Sequence, residues 1–255
     1  MAVKSKKKRK LSSARKKAER HSSGFERTLN DTPDGIQYFK LNQGGKKRIE
    51  ILPFTATADN KYADKGELHF ETTFWCHRIG ADSLPYVCPK RTRGERCPVC
   101  EEASKVYNDP DGDEDLAKSL RAKERQLLYI LDHDDMDKGV QIWDMSYFLF
   151  GKQLDEKINL SDEEDGYDQF FDPDNGLTVK LGVVEDSFAT HKFYKVAAID
   201  FAKRKEAIDT DLWEDLPSLD SLLKVHTYDE LKVIMNMEEP EPEDDGKMTM
   251  NGMIK

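Results

Sequence analysis

The stretch Gln126-Leu-Leu-Tyr-Ile-Leu-Asp132, followed by the polar run His133–Gly139 and then Val140-Gln-Ile-Trp-Asp-Met145, decides how the chain is read. Two apolar runs rich in aromatic and β-branched residues around a polar turn are a hairpin signal. The signal recurs at Leu177–Glu185 and Lys192–Phe201, a second predicted hairpin joined near Asp186–His191. Nearer the start, Ile36–Leu41 and Lys47–Phe54 read as strands separated by Gly44-Gly45, and Leu68–Ile79 alternates and is rich in Phe, Trp and Thr. Helical patterns fall between the strands at Pro98–Tyr107, with Pro in its first turn, at Leu116–Arg125 and at Tyr147–Ile158. Short helices are expected over 209–237, interrupted by Pro217. The acidic turn Asp109–Asp115 has its Gly too early for a calcium loop and lacks the distal Glu, so it reads as a loop with a helix N-cap. Strands that come in hairpins, not at βαβ spacing, argue against a doubly wound sheet. A small Greek-key barrel of the oligonucleotide-binding (OB) type with inserted loops fits better.

The 255 residues carry a net charge of −10, with 35% charged and 37% hydrophobic residues. Such a sum argues against a nucleic-acid partner until the charges are placed. Residues 1–27 hold eleven Lys/Arg against two acids, a local +9 that leaves −19 on the rest. Residues 238–245 hold six acids in eight. Opposite charge blocks at the two ends read as solvated interaction tails. No run approaches the roughly 18 apolar residues of a membrane span. No apolar segment follows the basic start, as a secretory signal requires. The expectation is a protein of the cytoplasm, neither secreted nor in a membrane.

All four cysteines lie within 25 residues: Cys76, Cys88, Cys97 and Cys100. Cys97-Pro-Val-Cys100 is a knuckle that aims two thiolates at one point, as a tetrahedral zinc requires. Cys88 supplies a third ligand, and the fourth is His77 or Cys76. Strand register favours His77: Leu68, Phe70, Phe74 and Cys76 share the apolar face, whereas His69, Glu71, Thr73, Trp75 and His77 share the other. One bulge would reverse the choice. Four protein ligands make a closed, structural zinc site whose binding energy would fold the loop 79–100. A zinc deaminase is the enzymatic alternative, since His69-Phe70-Glu71 followed by a Cys-x-x-Cys resembles that signature. Against it, Arg96 replaces the Pro before the knuckle, and the His-x-Glu lies in a strand pattern. No nucleophile elbow, phosphate-binding loop or His-Glu-x-x-His is present.

Cations and aromatics interleave along an otherwise acidic chain. They are Lys46, Lys47 and Arg48; Trp75, Arg78, Tyr86, Lys90, Arg91, Arg93 and Arg96 around the cysteines; Arg121, Lys123 and Tyr129; and Lys192 and Tyr194. This mixture suits a single strand, whose phosphates need cations and whose bases need flat rings.

These residues resemble the single-stranded DNA-binding, helix-destabilising proteins of T-even-type bacteriophages. The similarity runs through Lys8-Arg9-Lys10-Leu-Ser12-Ser13, Arg48-Ile-Glu-Ile-Leu-Pro53, the His then Cys then Cys-Pro-Val-Cys spacing, Asp174-Asn-Gly-Leu-Thr-Val-Lys180 and the acidic tail. The resemblance implies zinc on His77, Cys88, Cys97 and Cys100. It implies an arm (Lys8, Arg9, Lys10, Ser12, Ser13) for self-association along DNA, and a tail that recruits replication and recombination proteins. The expected organisation is a basic arm over 1–24 and an OB-fold core over 25–205 with a zinc subdomain near 69–107. Short helices follow over 206–237, and an acidic tail over 238–255. The expected class is mainly β with inserted helices (α+β), and the expected function is non-enzymatic, cooperative, sequence-tolerant binding of single-stranded DNA in replication, recombination and repair in a bacterial host. The alternative is a zinc-ribbon accessory factor that binds protein or RNA.

Overall fold

The computed structural model describes residues 28–236, except Asp31, Asp34, Ala189 and Thr190. The arm residues Lys8, Arg9, Lys10, Ser12 and Ser13 and the acidic tail lie outside the described residues. Among the described residues ten strands form, in chain order: β1 (Gln37–Tyr38), β2 (Gly45–Leu52), β3 (Phe54–Thr55), β4 (Leu68–His69), β5 (Glu71–Ile79), β6 (Leu84–Val87), β7 (Lys123–Asp132), β8 (Gln141–Ser146), β9 (Leu177–Phe188) and β10 (His191–Lys203). The helices are α1 (Pro89–Arg93), α2 (Pro98–Asn108), α3 (Glu114–Ser119), α4 (Gly151–Asn159), α5 (Leu219–Leu222) and α6 (Tyr228–Asn236). The class is mixed α/β. No helix among the described residues is long and apolar enough to cross a membrane.

Strand β7 is the spine, and its sequence says why. It is apolar at nearly every position because both of its faces are covered. Leu127, Tyr129 and Leu131 face one core with Phe74, Leu52, Ile142, Leu219 and Leu222. Leu128 and Ile130 face the other, with Ile49, Ile51, Trp143, Phe150, Phe170 and Val179. One edge of β7 pairs with β8, from Arg125↔Ser146 to Ile130↔Gln141. The other edge is shared by β5, opposite residues 123–128, and β2, opposite residues 129–132. Strand β2 then hands the sheet to β9, and β9 to β10, all antiparallel. The two-residue β1 is parallel to its neighbour, β8.

The eight-stranded sheet runs from β1 to β10 without closing, and β3 and β4 form a separate pair. The small barrel expected from the hairpins is therefore corrected to an open, branched, mostly antiparallel sheet. The branch arises because β7 is longer than either partner on its shared edge. Two local expectations also shift. Arg121–Arg125 is not the end of a helix: α3 stops at Ser119, and β7 has begun by Lys123. The loop 79–100 contains β6 and α1, with Gly94 at positive φ ending the helix.

A buried carboxylate ties the far sheet together. Glu50 accepts from Arg204 Nε at 2.9 Å and Thr178 Oγ1 at 2.6 Å, and lies 2.7 Å from His133 Nε2. A buried charge paired and bonded in this way avoids the cost of an uncompensated one. The segment after β10 returns over the sheet. Leu219, Leu222 and Leu223 join the first core, and Leu231 of α6 packs with Trp75, Ile79, Tyr86 and Val99 on the cysteine-bearing side.

Candidate metal centre and binding face

Strand β5 pairs without a bulge from Glu71 to Ile79, so its side chains alternate strictly. Phe74 and Cys76 fall in the main core, while Trp75, His77 and Ile79 project to the other side. His77 is thereby brought to Cys88, Cys97 and Cys100, and the four ligand atoms lie within 4.8 Å of one another. His77 Nε2 is 3.5 Å from Cys97 Sγ and 3.4 Å from Cys100 Sγ, and the Cys88 and Cys100 sulfurs are 3.5 Å apart. A tetrahedron with metal–sulfur bonds of about 2.3 Å has ligand separations of about 3.8 Å. The donors are thus close to the spacing one such ion would impose.

The local sequence builds this geometry. Cys88 caps α1, its sulfur accepting the Arg91 N–H at 3.4 Å. Cys97 stands before Pro98 at the start of α2 and places Cys100 one turn on. The His77 ring is fixed from behind by Nδ1, which donates to the Leu120 carbonyl at 2.6 Å and leaves Nε2 facing the sulfurs. Such an outer contact orients a metal-binding imidazole.

The electrostatics ask for a cation. The Cys97 thiol is held far below the ordinary thiol range by Cys100 and Cys88, with help from His77. Cys88, crowded by Cys100 and Cys97, is pushed far above it. Three thiolates can share the pocket only if a positive ion joins them. The four residues form a cluster that could hold a metal ion, and their chemistry is compatible with a structural zinc.

Cys76 is not part of the cluster. It is buried on the opposite face of β5, and burial pushes its thiol above the usual range. His69, of the deaminase-like motif, also lies outside it, with its ring against Phe70 and Phe171.

The basic and aromatic residues separate into two groups. Lys46, Arg48, Arg78, Lys90, Arg91, Arg93, Arg96, Arg121 and Lys123 are exposed. Of these, Arg93 pairs with Asp59 at 3.2 Å and Arg96 with Glu101 at 3.0 Å, while Arg121 lies 5.5 Å from the exposed Tyr107 ring. The other group is corrected to structural roles. Tyr129 is fully buried and its hydroxyl donates to the Pro217 carbonyl at 2.9 Å. Tyr86 packs in the cysteine-side core beside His226. Lys47 is 7% exposed, with its ammonium 2.7 Å from Asp132 and 3.2 Å from Asp134. Tyr194 packs on the second core, whereas Lys192 belongs with the exposed group, 2.8 Å from Glu185 with its side chain 73% exposed. Tyr129, Tyr86 and Tyr194 offer no open ring, and Lys47 no unneutralised charge. The common reason is strand alternation: in a sheet covered on both faces, aromatic residues are core material.

Trp75 is a special case. It is 5% exposed, and its ring is roofed by Lys61 Nζ at 3.8 Å and approached by Arg91 at 5.7 Å. Among the described residues no ion pair engages Lys61, Lys90 or Arg91. Tyr62, beside Lys61 in the chain, is 60% exposed, and Phe148 is also open, with Lys152 near its ring. Sequence reasoning missed Lys61, Tyr62 and Phe148. Lys61-Tyr62 was visible as a cation–aromatic pair in the polar stretch after Pro53; Phe148 reads from the sequence as a core residue and is instead 72% exposed.

Neither a family model nor a curated protein matches the chain.

Proposed function

We propose that the chain is a non-enzymatic, cooperative, sequence-tolerant single-stranded DNA-binding protein of replication, recombination and repair. The observation that carries the reading is the juxtaposition of Lys61 and Arg91, both without an ion pair among the described residues, with the Trp75 ring on the cysteine-bearing side of the sheet; the exposed Tyr62 follows Lys61 in the chain. Cations beside stacking surfaces suit a flexible strand, because phosphates and unpaired bases are then served together. In this reading His77, Cys88, Cys97 and Cys100 hold one structural zinc, which rigidifies the wall carrying Lys90, Arg91 and Arg93. The open sheet serves as a partly open OB-type core that presents that wall. The basic arm mediates contact between copies along the strand, and the acidic tail engages replication and recombination proteins in the cytoplasm of a bacterial host.

The test is binding of the full chain to a poly-pyrimidine single strand, to duplex DNA and to the matching RNA across a range of salt. The same measurement follows with residues 1–20 and then 238–255 removed. The expected result is preference for the DNA single strand, with log K falling by about 0.7 per neutralised phosphate per decade of salt. Loss of the arm should reduce cooperativity. A flat salt response or a preference for duplex overturns the reading, and a preference for RNA replaces it with the accessory-factor alternative.

A further inference from the structure

Strand register sets Trp75 directly opposite Glu124 on β7. Lys61, from the segment between β3 and β4, crosses over and puts its ammonium 3.8 Å from the centre of the Trp75 ring. Arg91, from α1, reaches toward the same ring at 5.7 Å. Glu124 is half-buried and feels the charges of both Lys61 and Arg91. The indole is thus covered at its centre by the flexible, exposed Lys61 side chain, with Arg91 farther off. The backbone that carries the ring is fixed: the Trp75 N–H donates to Thr92 Oγ1 at 3.1 Å, and the Trp75 carbonyl accepts the Cys88 N–H at 2.7 Å.

We infer that Trp75 is the floor of a nucleobase-stacking site, closed in the free protein by Lys61, with Glu124 as the internal counter-anion that a strand phosphate replaces. The inference rests on the proposed single-strand binding and deepens it. A cation over an indole is held by about 0.5–2 kcal/mol, and a stacked base returns about 1–3 kcal/mol. The exchange is therefore favourable when the displaced ammonium finds a phosphate instead of water. Glu124 opposes that exchange in two ways: it attracts Lys61 and Arg91, and it repels the incoming phosphate.

The consequence has a sign that misfolding cannot imitate. Removing the Glu124 charge should tighten binding, whereas disruption of the fold would weaken it. The experiment is a fluorescence titration of the full chain with a poly-pyrimidine single strand at low and moderate salt, using wild type, E124Q, K61A, the double variant and W75F. E124Q is expected to bind about two- to fivefold tighter, the range of one exposed charge pair. K61A should bind more weakly, with a salt slope smaller by about 0.7. In the K61A background the effect of E124Q should shrink, because part of it acts through Lys61. Quenching on binding should be largely lost in W75F, where Trp143 and Trp213 remain.

Weaker binding by E124Q, strictly additive effects of the two substitutions, or undiminished quenching in W75F overturns the inference while leaving single-strand binding in place. Absence of saturable binding by the wild type instead overturns the proposed function, and the stacking site falls with it. In the free protein, K61A should also make Trp75 emission more accessible to acrylamide, with W75F as the reference; unchanged accessibility overturns the lid.

Discussion

His77 Nδ1 donates to the Leu120 carbonyl at 2.6 Å, which couples the candidate metal cluster to the turn where the chain leaves α3 and enters β7. His77 thereby steadies the start of the strand on which the sheet is built. If zinc fills the cluster, one equivalent per chain should be measured by atomic absorption. Chelation should then destabilise the protein by several kcal/mol in urea unfolding, because metal binding free energy is folding free energy. The loss should concentrate in β6, α1 and α2, seen as lost hydrogen-exchange protection there before the β9–β10 hairpin.

Cys76 and His77 are neighbours with opposite assignments. Cys76 packs with Phe74, Val87 and Leu52, whereas His77 faces three sulfurs. His77→Ala should abolish stoichiometric zinc. Cys76→Ser should retain it and cost about 1–3 kcal/mol, because a hydroxyl is buried where a thiol sat in an apolar wall. Metal content and urea midpoints of the two variants check the pair; retained zinc in His77→Ala with loss in Cys76→Ser would exchange their roles.

How far the sequence could be read follows from where periodicity carries information. The two hairpins were legible because their apolar runs and polar turns lie close together in the chain. The cluster was legible because ligand spacing is local and because β5 keeps its register without a bulge. The pairing of β7 with three partners was not legible, since a strand apolar on both faces gives no clue to what covers each one. For the same reason Tyr129 looked like a stacking residue and is a core residue. Lys61 escaped notice because its meaning comes from Trp75, fourteen positions away on β5.

Lys47 shows how burial converts an apparent DNA contact into a structural one. Its ammonium lies between Asp132 and Asp134, and it is almost wholly buried. Lys47→Ala leaves the Asp132 carboxylate buried without its partner, which costs about 3–5 kcal/mol. Lys46→Ala, next to it on the exposed side, should alter stability by no more than about 0.5 kcal/mol. The contrast is checked by thermal unfolding of both variants. If Lys47 instead faced a DNA strand, its removal would weaken binding and leave the melting temperature unchanged.

Glu71 is 7% exposed on β5, accepting from Thr73 Oγ1 at 2.9 Å and from the Gln126 side-chain amide. Burial, and after it the negative charges of Asp155 and Glu124, push its carboxyl up to about 7. A carboxyl with a folded-state pKa above its unfolded value binds more protons in the native state between the two. Its contribution is therefore most favourable below the unfolded value of 4.5 and falls as pH rises to about 7. Beyond that both states are ionised and the slope vanishes. The full span is worth about 3 kcal/mol as an upper bound. Glu71→Gln removes the titration but keeps an acceptor oxygen. Its stability should be nearly flat from pH 5 to 8, and the wild type should decline relative to it over the same interval. Urea unfolding of both proteins at half-unit steps of pH, with metal saturating, measures the difference. A wild-type curve parallel to that of Glu71→Gln would mean that water or a rearranged Gln126 already solvates the carboxylate. The Gly151→Ala variant probes that neighbour separately: an added methyl would fall 2.1 Å from Gln126 Oε1. Displacing that amide should strip a donor from Glu71, so the variant should lose stability more steeply with pH than the wild type.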